Sequence, residues 1–236
     1  MRSDDPRTVL RAALYTSDFA ALMALLQGDW PTDALQLIGD GLGAAVQQKE
    51  PGASQLAERC VLALRDRDWE GDEELAVLLE AVLGAAPTPM LRRLPVDLEE
   101  LSLVLEGDPL SGDGRVDLRS GVVWSAPAIE YAQESGEDDE DAADDPERWL
   151  WINNQGSRAG YRDMVDFAAT VTDPGRADRL EIALQGRGAF RRFKDVLARW
   201  PGELERWHGF SEDRKRGRAR AWLAEEGYTT VPRRPS

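Results

Sequence analysis

The chain has 236 residues, with 29 Lys and Arg against 44 Asp and Glu, a net charge of −15. A molecule this acidic disfavours indiscriminate binding to nucleic acid or to an anionic membrane. It also has no run of the ~18 apolar residues that a membrane span needs. One cysteine, Cys60, and one histidine, His208, exclude an internal disulfide and a Cys/His zinc site.

The first residues, Met1-Arg2-Ser3-Asp4-Asp5-Pro6, are acidic where a secretory signal would be basic and then apolar, which predicts a cytoplasmic protein. Residues 6–86 read as Ala- and Leu-rich helices with short Gly, Pro and Asp breaks, and Cys60 falls in their apolar phase as a buried thiol. Gly28-Asp29-Trp30, followed by Leu35, Ile38 and Leu42, is echoed by Arg67-Asp68-Trp69, followed by Leu75, Leu78 and Val82. That period suits either a two-helix unit of a helical repeat or an ordinary orthogonal bundle, and two copies do not separate them.

Ala85-Ala86-Pro87-Thr88-Pro89 marks a boundary, because two prolines in three residues break a helix and stiffen a linker. The expected division is a helical domain at 1–88 and an α+β domain at 89–236. In the second part, Asp97 caps a helix that ends near Gly107, and Val116-Asp117-Leu118 and Gly121-Val122-Val123-Trp124 flank a hairpin turn. A further strand is predicted at Ala128 to Tyr131. Residues 134–147 hold nine carboxylates and no large apolar side chain, which predicts a flexible acidic loop.

Trp149-Leu150-Trp151-Ile152 is apolar throughout and predicts a strand covered on both faces, inside the sheet. Ser157 is expected to cap a helix with Tyr161, Met164, Phe167 and Ala168 on one face. Helices follow at about 176–185, 188–200 and 203–226, then a loose tail from Thr229 to Ser236. The fold class is α+β: a helical domain, either repeat-like or an orthogonal bundle, followed by a small antiparallel sheet packed by helices.

Three segments of this second part carry a family resemblance: Trp149 to Ile152, Ser157-Arg158-Ala159-Gly160-Tyr161-Arg162-Asp163-Met164, and Gly186-Arg187-Gly188-Ala189-Phe190-Arg191-Arg192-Phe193-Lys194-Asp195-Val196-Leu197. Together they resemble the bacterial family catalogued as uncharacterised protein family 0158, over about Val96 to Tyr228. The resemblance implies the α+β domain and brings no activity, ligand or site residue.

Two constellations stand out as binding candidates. On the helix from Gly188, Phe190, Phe193, Val196, Leu197 and Trp200 share a predicted core arc, while Arg187, Arg191, Arg192, Lys194 and Arg199 form a basic arc relieved by Asp195. With all its aromatics turned inward, this arc lacks a stacking platform, which argues against nucleic-acid binding. In the last helix Arg214 and Arg218 fall within the predicted core face of Trp207, Phe210, Ala221 and Trp222. They suggest a buried ion pair, with Asp163 or Asp166, or a pocket for a phosphorylated or carboxylated small molecule.

Other motifs dissolve on inspection. Asp113-Gly114-Arg115-Val116-Asp117 has the middle of an EF-hand loop but Pro109 and Ser120 at its ends, and Gly186-Arg187-Gly188 is no Walker loop. No spacing marks a catalytic set, a metal site or a cofactor site, so an enzyme is disfavoured. The sequence expectation is a non-enzymatic cytoplasmic module that binds another protein. Residues 175–236 carry 15 basic and 9 acidic residues, a net of +6, which leaves a nucleic-acid-associated regulator as the alternative and the small-anion site as the third reading.

Overall fold

The structure is a computed structural model and describes residues 6–16, 18–28, 30–107, 112–135 and 145–231. The chain is α+β and falls into two units. The first is Met1–Leu91 together with Glu212–Gly227; the second is Arg92–Ser211 together with Tyr228–Ser236. Glu212–Gly227 therefore belongs with the N-terminal helices and not with the family segment around it, which differs from a simple split at residue 88.

In the first unit α1 (Pro6–Tyr15), α2 (Phe19–Leu25), α3 (Leu35–Gln47), α4 (Ala53–Arg67) and α5 (Asp72–Leu83) enclose a core that includes Leu22, Ile38, Leu42, Leu64 and Leu79. Helix α3 packs on both α4 and α5, which also pack on each other. Cys60 is buried in this core, and burial pushes its thiol up to about 12. The two echoed tryptophans each lie beneath a guanidinium: Arg59 sits 4.2 Å from the Trp30 ring centroid and Arg67 4.0 Å from that of Trp69.

The second unit opens with β1 (Arg92–Leu94) and α6 (Leu98–Leu105). Asp97 caps α6, its carboxylate accepting from the Glu99 and Glu100 N–H groups. Next come β2 (Gly114–Asp117) and β3 (Val123–Trp124), paired antiparallel as a hairpin with Val116 opposite Val123. Gly121 turns that hairpin at φ +73°, and a Cβ there would lie 2.4 Å from the Pro95 carbonyl oxygen, so only glycine fits. The carboxylates that suggested a calcium loop serve the backbone instead. Asp113 accepts from the Asn154 N–H, and Asp117 accepts from the Arg119 and Ser120 N–H groups.

Two strand expectations are corrected. Residues 128–131 belong to α7 (Ala126–Ser135), whose first turn takes Pro127 where the missing N–H costs nothing. Strand β4 (Trp149–Ile152) pairs only with β2 among the described residues, in the order β3-β2-β4, so it lies at an edge and Trp151 is exposed. The interior strand is β2. Its Arg115 is fully buried, its guanidinium 3.7 Å from the Trp149 ring centroid and 5.5 Å from that of Trp124, so it covers the Trp149 ring on one face of the sheet.

Then follow α8 (Arg158–Ala169), α9 (Pro174–Leu184), α10 (Ala189–Leu197) and α11 (Pro201–Glu225), which belongs to the second unit through Ser211 and to the first from Glu212. Ser157 occupies the cap position of α8 without a side-chain cap hydrogen bond. Phe167, Phe193, Trp207 and Phe210 pack as an aromatic core, with Phe193 and Trp207 4.9 Å apart edge to face. Thr229 and Thr230, which the sequence assigns to a loose tail, are in a strand instead. Tyr228–Thr230 is strand β5, parallel to β1, with Tyr228 opposite Arg92. Residues 136–144 of the acidic segment and 232–236 of the tail lie outside the described residues.

Candidate functional site

The charged groups that enter the core are not the ones the helical phase suggested. On α11 the buried positions include Trp207, Phe210, Asp213, Gly217 and Arg220, with Arg220 3 % and Asp213 4 % exposed. Arg214 and Arg218 sit at its half-buried margin, and the Arg214 guanidinium lies 5.2 Å from the Trp69 ring centroid. The buried stripe thus runs one position ahead of the predicted one, because it takes in the ionised Asp213 that a hydrophobic-period count passes over.

Around Arg220 the first unit holds a closed network of three guanidinium groups and three carboxylates. Arg220 donates from Nε to Gln36 Oε1 at 2.8 Å and from Nη2 to Asp40 Oδ1 at 2.7 Å. Arg216 donates from Nε and Nη2 to Asp40 Oδ2. The Gln36 amide turns its NH₂ to the Gly71 carbonyl and Asp72 Oδ1, and its backbone N–H donates to Asp213 Oδ1 at 3.0 Å. Arg67 joins Asp213 to Asp72, donating to one oxygen of the former and both of the latter.

The two flanking carboxylates respond in opposite directions. Burial raises the pKa of Asp40, but Arg220 and Arg216 outweigh it and hold the group below its ordinary value. Burial also raises Asp213, and here Arg67 does not compensate because Asp72 shares the same guanidinium; Asp213 stands at about 6. The backbone closes over this network. Gly71, at φ +85°, would place a Cβ 2.0 Å from the Gly217 carbonyl oxygen, and Gly217 would place one 2.2 Å from that of Glu70. With its donors and acceptors turned on one another, the network ties α11 to α3, α4 and α5. Among the described residues no group of three or more His, Cys, Asp and Glu is placed to hold a metal ion.

The basic arc of α10 divides. Arg187, Arg191, Lys194 and Arg199 are exposed, with Arg191 3.8 Å from Asp195 one turn on. Arg192 turns back onto the α9–α10 connection, donating to the carbonyls of Ala183, Gln185, Gly186 and Arg187. It caps the end of α9, and its charge is engaged there. The Tyr161 hydroxyl donates to the remaining carbonyl of this turn, Leu184, at 3.2 Å. The turn is thereby tied from both sides.

Phe190, placed in the core by its spacing, is a surface residue at 38 % exposed, and Tyr161 is 40 % exposed. The Phe190 ring lies against Gly160, where a Cβ would meet it at 3.5 Å, so α10 and the first turn of α8 approach through a glycine. Val165, one turn beyond Tyr161, is exposed as well. Arg158 and Arg162 flank Tyr161 and Val165 at three-residue spacing on α8, and Arg191 and Lys194 on α10, with Arg187 in the turn before it, neighbour Phe190 in sequence. Sequence reasoning missed the α8 half of this face. Its signal was available as Arg158 and Arg162, four residues apart beside Tyr161.

The family model described as "Uncharacterised protein family (UPF0158)" matches residues 88–234. The chain belongs to UPF0158. A UPF0158 protein of Pseudomonas aeruginosa is 31% identical over 137 residues, covering 57% of this chain and 85% of that relative. No solved structure matches the chain. The UPF0158 segment contains the α8–α10 face and all of α11, whereas α1 to α5 precede it. Among the described residues no helix is long and apolar enough to cross a membrane.

Proposed function

We propose that this UPF0158 member is a non-enzymatic protein-interaction module of the cytoplasm. One contrast carries the reading. The buried charged groups of the first unit are bonded to one another, while arginines and aromatics stand exposed together on α8 and α10. Arg, Tyr and Phe are the residue types that protein interfaces concentrate, whereas catalysis needs a charged group left available to a substrate. The cytoplasmic assignment rests on the single, buried cysteine and the acidic composition. The echo of Trp30 and Trp69 supports a repeat-like origin for α3 to α5.

The test is affinity capture from a native bacterial extract, with and without nuclease, followed by reconstitution of the recovered protein with the purified chain. A partner that survives nuclease and rebinds the purified chain supports the reading. Recovery of nucleic acid alone, with no protein that rebinds, refutes it. A nucleic-acid-associated regulator is the second reading, favoured by the exposure of Tyr161 and Phe190 beside the basic residues, which removes one argument against it. A small-anion site at Arg214 and Arg218 has less support, since Arg214 already lies over the Trp69 ring.

A further inference from the structure

We infer that the α8–α10 face docks an acidic protein segment that presents aromatic or leucine side chains between its carboxylates. This rests on the protein-interaction reading and names the site and the chemistry of the partner. The apolar groups of the face are Tyr161 and Val165, exposed one turn apart on α8, and Phe190, whose ring lies against Gly160. Its edges are mainly basic, with Arg158 and Arg162 along α8 and Arg187, Arg191 and Lys194 in the turn before α10 and along it, Arg191 lying 3.8 Å from Asp195. A complementary ligand therefore carries apolar anchors for the apolar groups and carboxylates for the rim. The face is also held in shape before any partner arrives, because Arg192 and Tyr161 tie the α9–α10 turn through five consecutive carbonyls, those of residues 183–187. A pre-organised face loses less entropy on binding.

Two observations favour a protein segment over single-stranded nucleic acid. Tyr161 and Phe190 are each only about two-fifths exposed, which suits an aliphatic or aromatic anchor better than a fully open stacking platform. The chain as a whole carries −15, which repels a long polyphosphate more than a short segment with a few carboxylates. Four of the five rim cations are arginines, which form paired hydrogen bonds to carboxylates.

The direct experiment is fluorescence anisotropy on the full chain with three labelled probes. The first is a synthetic peptide four helical turns long, with Glu and Asp between Leu and Trp at helical spacing; the second replaces its Leu and Trp by Ser; the third is an oligouridine RNA. We expect the first peptide to bind in a salt-sensitive way, and the second to bind about tenfold more weakly. Phe190→Ala, and separately Arg187→Glu with Arg191→Glu and Lys194→Glu, should each weaken the first peptide by about tenfold while the far-UV circular dichroism stays unchanged. Phe190→Ala keeps the test decisive if the triple variant fails to fold. RNA binding as tight as the peptide's, peptide binding indifferent to Phe190→Ala, or no peptide binding overturns the assignment. A nuclease-resistant partner captured equally by wild type and Phe190→Ala also overturns it, while leaving the wider protein-interaction reading intact.

Discussion

Replacing Arg220 by Met removes one partner from a buried network while keeping a side chain of similar length in the core. Gln36 is fully buried and would lose the Nε donor to its carbonyl oxygen, a cost of about 1–3 kcal/mol for an acceptor left without water. Asp40 would lose one of its three guanidinium bonds but keep both from Arg216, and its side chain is a quarter exposed, so solvent absorbs much of that loss. About 1 kcal/mol is a fair share for it. The expected destabilisation is therefore about 2–4 kcal/mol, at or below the usual range for breaking a buried ion pair. Urea melts followed by far-UV circular dichroism, with hydrogen exchange at α3 to α5, would measure it. The early transition should map to those helices. Unfolding free energy within about 0.5 kcal/mol of wild type would refute the idea that Arg220 fastens α11 to α3.

Asp213 sets a pH dependence of opposite sign to the usual carboxylate. Its pKa is raised from 3.8 to about 6 on folding, so its protonation favours the folded state and stability falls as pH rises through about 6. From pH 7 to pH 5 wild type should gain roughly 1.4 kcal/mol relative to Asp213→Asn in paired urea melts, and a constant difference would contradict the shift. Asp40, with a lowered pKa, contributes stability above its ordinary value that is lost as pH falls through its folded value. Gly217→Ala should cost at least about 2 kcal/mol in the same melts, because its Cβ meets the Glu70 carbonyl at 2.2 Å; a neutral outcome would show that the two backbones separate easily. Arg192→Ala should lower stability by about 1–2 kcal/mol and Arg191→Ala by no more than about 0.5, although the two residues are neighbours. Equal effects would argue against the capping role.

Local chemistry was legible at Asp97 and Gly121, where one residue decides it, though not at Ser157, whose side chain makes no cap bond. Asp97 reads as a cap and binds the first N–H groups of α6, and the turn before Val123 reads as a hairpin because Gly121 is there to make it. The helices after Ser157 follow from spacing alone. What failed was phase and long-range company. The buried face of α11 contains Asp213 and Arg220, so apolar counting slides along to Arg214 and Arg218. Strand β5 depends on pairing with β1 across 136 residues, and nothing in Tyr228-Thr229-Thr230 announces that partner. Residues 128–131 have the composition of a short strand, but helix α7 claims them from Ala126 onward. A signal for the network was present in α3, where Gln36 and Asp40 stand four residues apart in a helix otherwise lined by Leu35, Ile38 and Leu42.

The discontinuity of the first unit has a consequence in time. Gln36 is separated from Asp213 by 177 residues and from Arg220 by 184. At synthesis rates of about 5–20 residues per second, the ribosome needs roughly 10–35 s to deliver those partners after Gln36 has been made. Throughout that interval α3, α4 and α5 can assemble around Leu42 and Leu64 with Arg67 and Gln36 already on Asp72, but Asp40 and the backbone N–H and side-chain carbonyl of Gln36 must be served by water. The nascent chain thus passes through a stage in which its earliest helices present a polar, hydrated seam. The N-terminal unit is the first to be synthesised, and it is completed only when the last helix emerges.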